Sequence, residues 1–279
     1  MSQLSFASFF DQAKATEARA PQRPVVIPEQ TPTPARQRLT IDEARRQFVR
    51  VFKDTARNLR RWDVFRDFIT LAASELDLAR IRTPENIRSS REICEKYSDS
   101  DIKKLHELFC LMVCALEAKF HDFLGAIFME LELGDDRNGQ YFTPYQVQSL
   151  LARLIKPEIP DPGSVIARQG FVTVSDPASG SAGMIIAYAE NLLEAGYNPS
   201  EQMYAHCVDI DPIAADMSFI QLSLLGIPAQ VVTGNSLTLE CRRVRFTPVY
   251  YINNFEKRLD DQHRISAMRE FMRGMTEAA

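Results

Sequence analysis

The chain has 279 residues, a formal net charge of −4, 45% hydrophobic residues and 25% charged residues. That size suits one large domain or two small ones, and the mildly acidic balance excludes a globally basic nucleic-acid-binding protein. No apolar run reaches the roughly 18 residues of a membrane span, no basic segment leads into a long apolar core as in a secretory signal, and five scattered cysteines suit the reducing cytoplasm.

Residues 1–39 read as a Pro-rich flexible tail, since Pro21, Pro24, Pro28, Pro32 and Pro34 come with Gln and Thr and show no apolar period. Residues 40–138 read as a helical domain. Thr40 and Glu43 have the spacing of a capping box, and Ile41, Ala44, Phe48, Phe52, Thr55 and Leu59 then fall on one helical face. A second helix is carried by Val64, Phe65, Phe68, Leu71 and Ala72, and Thr83-Pro84 marks a turn. A longer helix runs from Asp101 through Leu105, Leu108, Phe109, Val113 and Leu116, with a break near His121. Cys110 and Cys114 lie on it four apart, but no second Cys/His pair of matching spacing supports zinc, so no metal site is expected. Charge is uneven: residues 36–91 hold 14 Lys/Arg against 8 Asp/Glu. Arg46, Arg50, Lys53, Arg57 and Arg61 recur at helical spacing, which suits phosphate contact or, more simply, a solvated face paired with Asp42 and Asp54.

From Gly139 the period changes to alternating strands and helices, the pattern of a doubly wound sheet. A helix through Val147, Leu150, Leu151 and Leu154 follows Gly139 to Pro144 (G-Q-Y-F-T-P). The run Val172-Thr-Val174 ends in Asp176 and opens into the turn P-A-S-G-S-A-G, before a helix carrying Met184, Ile185, Tyr188 and Leu192. Glycines there let the backbone approach a ligand, and the helix start offers free N–H groups. A second strand, Met203 to Val208, ends in Asp209-Ile-Asp211-Pro212, and a third, Ala229 to Thr233, ends in Gly234-Asn-Ser-Leu237. Val249 to Ile252 reads as the fourth strand, and Glu256 to Thr276 as one charged helix.

The order and spacing of these pieces, from about Asp122 to Leu237, resemble the adenine-N6 DNA methyltransferases, above all the methylation subunit of type I restriction-modification systems. Asp122-Phe-Leu-Gly125-Ala-Ile-Phe-Met-Glu130 resembles the D-x-L-G-x-I-Y-E stretch that precedes the T-P motif in those subunits. The resemblance implies an α/β fold: an N-terminal helical domain, then a Rossmann-like S-adenosylmethionine-dependent methyltransferase sheet over residues 139–279, truncated after four strands. It also implies S-adenosyl-L-methionine as cofactor. Asp209 would accept the ribose hydroxyls and Asp176 would orient the methionine ammonium. Gly180 and Gly183 would let the loop fold under the methionine end, and Tyr141, Phe142, Thr143 and Pro144 would close over it. Asn235 stands where the family has Asp and would accept from the adenine amino group through its side-chain carbonyl, or is an ordinary turn residue. Asp211 reads as a helix N-cap before Pro212. Ala182 replaces a family glycine, which costs conformational freedom if a positive φ is needed there.

In the family an N/D-P-P-Y/F tetrapeptide positions the flipped base. It is absent here. Asn253 and Phe255 echo it as catalytic candidates, without the prolines that preset the carbonyl direction. The expectation is therefore a cytoplasmic protein of the DNA adenine-N6 methyltransferase family that binds S-adenosylmethionine, with impaired or absent catalysis in the isolated chain. Its partners would be DNA and a specificity or second methylation subunit, with no membrane. The alternative is a non-catalytic binding or regulatory protein acting on a restriction-modification partner or on DNA.

Overall fold

The computed structural model describes residues 39–133, 142–154 and 162–277; the Pro-rich tail and Tyr141 lie outside the described residues. The helical region opens with α1 (Ile41–Asp54). Thr40 accepts from the Glu43 N–H and the Glu43 carboxylate accepts from the Thr40 N–H, so the expected capping box is present. Ala44, Phe48, Phe52 and Thr55 are buried along the expected face. α2 (Arg61–Leu76), α3 (Pro84–Cys94), α4 (Asp99–Ala118) and α5 (Phe123–Glu130) follow. Aromatic rings knit them together: Phe48 meets Phe68 and Phe123 edge-on at 5.7 and 5.4 Å, and Phe65 meets Phe128 at 5.8 Å. Each such ring contributes about 1.5–3 kcal/mol through burial.

Arg61 corrects the basic stripe. Its guanidinium donates to the carbonyls of Phe52, Thr55, Ala56 and Leu59, closing the C-terminal end of α1. A fork with five donors suits those orphan carbonyls. Arg57 pairs with Asp54, whereas Arg46, Arg50 and Lys53 are exposed and make no ion pair among the described residues.

The second region begins with α6 (Tyr145–Leu154) and α7 (Pro162–Gln169). It continues through β1 (Val172–Asp176), α8 (Gly183–Glu194), α9 (Pro199–Gln202), β2 (Met203–Asp209), α10 (Pro212–Leu224) and β3 (Ala229–Asn235). β1, β2 and β3 are parallel neighbours in that order, with Val174 opposite Ala205 and Cys207 opposite Val231. α10 packs on β2 and β3 and also on α2, so one hydrophobic core runs from Phe48 and Phe65 through Phe219 and Ile220 to Ala205 and Val231. α6 turns Gln148 and Ala152 inward, toward α8, and leaves Val147, Leu150, Leu151 and Leu154 exposed.

The fourth strand is not Val249–Ile252. It is β4 (Glu240–Phe246), antiparallel to β3, and residues 248–252 form the short helix α11 (Pro248–Ile252), followed by α12 (Phe255–Glu277). The Asn235 side chain closes the hairpin by accepting from the N–H groups of Leu237 and Thr238. Pro248 then starts a helix, where its missing N–H is harmless. Buried charges also hold β4. Arg245 Nη1 lies 2.7 Å from Asp216 on α10, and Arg245 Nε lies 3.1 Å from Asp77 after α2, a charge contact without hydrogen-bond alignment.

Candidate functional site

The loop between β1 and α8 gathers most of the expected cofactor residues. Asp176 ends β1 and accepts from the Ala178 N–H at 3.1 Å, an Asx-type turn that starts the loop. The Ser179 N–H then reaches back to the Val208 carbonyl at 2.9 Å, so the loop folds over the end of β2. Gly180 has φ +55° and Ala182 φ +69°, both left-handed. A β-carbon on Gly180 would also stand 3.0 Å from the Phe142 ring. Ala182 thus adopts the conformation for which a glycine would be suited, as the sequence comparison anticipated. Gly183 opens α8 against the buried Gln148 side chain. The first bond of α8 runs from the Ile186 N–H to the Ala182 carbonyl, so the N–H groups of its first turn precede the helical ladder.

Asp209 closes β2 beside this loop. One carboxylate oxygen accepts from the Gly180 N–H at 2.8 Å and the other from the Asp211 N–H at 2.9 Å. Each oxygen has capacity for a further donor. Burial raises the Asp209 pKa above the ordinary aspartate value. The two N–H bonds oppose that shift, and neighbouring Asp211 and Asp176 add to it. Asp211 is the N-cap of α10, accepting from Ile213 and Ala214 as expected. Phe142 packs edge-on against Phe128 at 4.9 Å, while Thr143 and Pro144 are exposed just before α6. Asn235 lies at the end of β3, its side-chain oxygen engaged in its own turn.

Asn253 and Phe255 lie elsewhere. Asn253 Nδ2 donates to the Ser200 carbonyl at 2.6 Å. Phe255 is fully buried in a small cluster with Phe171, Tyr204 and Tyr250, stacked at 6.0 Å on Tyr204 and covered by the Arg258 guanidinium at 4.2 Å. Neither makes a hydrogen bond or ring contact with the glycine loop.

Asp122, Ser181, Ser218 and Gln221 were not singled out as site residues from sequence, yet they brace this loop from behind. Their one visible signal was polar residues set into apolar surroundings: Ser218 and Gln221, with Asp216 and Ser223, interrupt the largely apolar α10.

Residues 128–257 match the N-6 DNA methylase family model. The match covers the loop, Asp209 and both strand ends described above. No curated protein matches. Among solved structures, the chain is similar to a protein described as a class I S-adenosylmethionine-dependent methyltransferase of Listeria monocytogenes. That likeness has 18% identity and a TM-score of 0.35, covering 67% of this chain and 52% of that one. The chain thus spans about half the length of that protein. Among the described residues of the methylase-like chain, no helix is long and apolar enough to cross a membrane.

Proposed function

We propose that the chain binds S-adenosyl-L-methionine at the β1–α8 loop and that, on its own, it is a poor or inactive DNA adenine-N6 methyltransferase. The observation that carries the cofactor reading is the Asp209 carboxylate, half-buried at the end of β2 and hydrogen-bonded to the left-handed Gly180. That arrangement sets an acceptor for two ribose hydroxyls beside a loop whose helix start offers N–H groups to a carboxylate. The residues present therefore fit the group. When bound, the cofactor would supply an electrophilic methyl. Asp209 would hold the ribose, Asp176 the ammonium, and Phe142, Thr143 and Pro144 with Tyr141 would cover the methionine end, whereas the Asn235 oxygen already accepts from the Leu237 and Thr238 N–H groups.

Weak catalysis rests on the Asn253–Phe255 segment. Positioning a flipped adenine requires an exposed aromatic platform and a preset acceptor. Here the aromatic is enclosed, and the Asn253 side chain is held away from the glycine loop by the bond its Nδ2 donates to the Ser200 carbonyl. Transfer of labelled methyl groups to DNA, measured with and without a specificity subunit, tests this. Rapid adenine methylation by the purified chain alone would sink it.

The alternative, a binding or regulatory role, is favoured by one observation: Arg46, Arg50 and Lys53 stand exposed and without ion pairs among the described residues on one side of α1. If they meet DNA, neutralising all three lowers the salt dependence of duplex binding by a slope of about 3. Unchanged binding at low salt rules out DNA contact by this face.

A further inference from the structure

We propose that Asp122, acting with Ser181 and Gln221, is a positioning residue that holds the β1–α8 loop in its cofactor-receiving shape and ties that shape to the helical region. This rests on the reading of the loop as the cofactor site. It assigns a role to the D-x-L-G stretch, which the cofactor contacts leave unused.

The geometry is a closed set of hydrogen bonds. Asp122 precedes α5 as its N-cap, and one carboxylate oxygen accepts from the Gly125 N–H and from Gln221 Nε2, both at 2.9 Å. The other accepts from Ser181 Oγ at 2.7 Å. Gln221 Nε2 also donates to the Ser181 carbonyl at 2.7 Å, and its Oε1 accepts from the Leu124 N–H at 2.9 Å. Asp122, Ser181 and Gln221 are 3%, 1% and 0% exposed, so water cannot replace any of these bonds. A β-carbon at position 125 would come within 2.2 Å of the Asp122 carboxylate, which explains why the stretch needs glycine three residues after the acid.

These bonds end on the loop itself. Ser181 sits between the two left-handed residues, Gly180 and Ala182, and is held by both its side chain and its carbonyl. Ser218 Oγ donates to the Gly180 carbonyl at 2.7 Å while Asp209 accepts from the Gly180 N–H, so both sides of Gly180 are fixed. A loop with two left-handed residues, one of them alanine, does not keep that form from local preference. On the other side, α5 buries Phe123 and Phe128 among the rings of α1 and α2. One strut therefore joins the helical region to Ser181, the chain neighbour of the Gly180 that contacts Asp209. Burial raises the Asp122 pKa, with Gln221, Ser181 and Gly125 opposing the shift through their hydrogen bonds.

The test uses the full chain and the variants Ser181→Ala, Asp122→Ala and Asp122→Asn. Calorimetric affinity for S-adenosylmethionine and S-adenosylhomocysteine is read together with thermal stability and hydrogen exchange of the 180–183 amides. Both alanine variants are expected to bind about tenfold or more weaker, with faster loop exchange. For Ser181→Ala the loss of affinity is expected to exceed what its fall in melting temperature accounts for. Asp122→Asn keeps acceptors for Gly125 and Gln221 and can donate to Ser181 Oγ, so it is expected to recover affinity to within about threefold of wild type. A purely structural role predicts that affinity follows stability and that the asparagine gives no selective rescue; that pattern overturns the proposal. So does a folded Ser181→Ala chain with wild-type affinity and unchanged exchange. If Asp122→Ala does not fold, Ser181→Ala decides alone. If wild type binds neither compound, the cofactor reading fails, and the proposal, which rests on it, is overturned; loop exchange in Ser181→Ala then reports only whether the strut shapes the loop.

Discussion

The loop after β1 and the segment from Thr247 to Phe255 both echo the same family site in sequence, yet the structure treats them oppositely. In the loop, backbone groups are fixed by Asp209 on β2 and by Ser218 and Gln221 on α10, and the Ser181 hydroxyl is fixed by Asp122 before α5. In the later segment Thr247, Tyr250 and Phe255 turn inward, while Tyr251 and Ile252 stay exposed. Thr247 Oγ1 bonds the Ile227 carbonyl, Tyr250 and Phe255 fill an aromatic cluster, and Asn253 ties down Ser200. A binding site needs polar groups held in place but left with spare capacity. A packing element needs the reverse, apolar groups enclosed and polar ones used up. The first region meets the binding condition and the second meets the packing condition.

The largest expected effect tests the packing half of this contrast. Phe255→Ala should destabilise the fold by about 3–5 kcal/mol, as loss of a fully buried aromatic does. Chemical denaturation measures it, and a change below about 1 kcal/mol would place Phe255 outside the core role given to it. Asp209→Ala probes the binding half. It should weaken S-adenosylmethionine binding by about 1–3 kcal/mol, read by calorimetry on chain that circular dichroism shows to be folded.

The pH dependence of binding sharpens the same point. The Asp209 pKa is raised by burial, and accepting two hydroxyls requires the ionised form. Cofactor affinity should therefore fall with acidification at a pH above the range in which an ordinary aspartate protonates. Stability takes the opposite sign. A carboxyl whose folded pKa exceeds its unfolded value adds to stability fully below the unfolded pKa, and that gain is lost as pH rises through the folded one. Affinity that is flat across that window would remove Asp209 from the ribose role. The smallest effect is expected at Ala182, where glycine should relieve the φ of +69°. Ala182→Gly should raise stability by about 1 kcal/mol in thermal unfolding, with cofactor binding retained.

Much of this architecture was legible in the chain itself. The α1 capping box, the Asp211-Pro212 helix start, the three parallel strands and the loop between Asp176 and Gly183 all depend on neighbouring residues, so local pattern reveals them. β4 was not legible. Glu240-Cys-Arg-Arg-Val-Arg-Phe246 is highly charged and its alternation breaks at Arg242-Arg243, and it becomes a strand because β3 offers an edge and Asp216 and Asp77 neutralise Arg245. Val249–Ile252 looked like a strand by β-propensity. Pro248 and the packing of Tyr250 on Tyr204 and Phe246 made it a helix.

The same division holds for the site. Sequence alone determined which acids close β1 and β2 and where the chain must turn, because carboxylates, glycines and prolines act through their own backbone and immediate neighbours. The bracing of the loop was decided only in three dimensions. Asp122 and Gln221 lie 99 residues apart, and Asp122 and Ser181 lie 59 apart. No local pattern encodes such pairs. They form because packing of α10 against both the sheet and the helical region excludes water, and buried polar groups must then find one another.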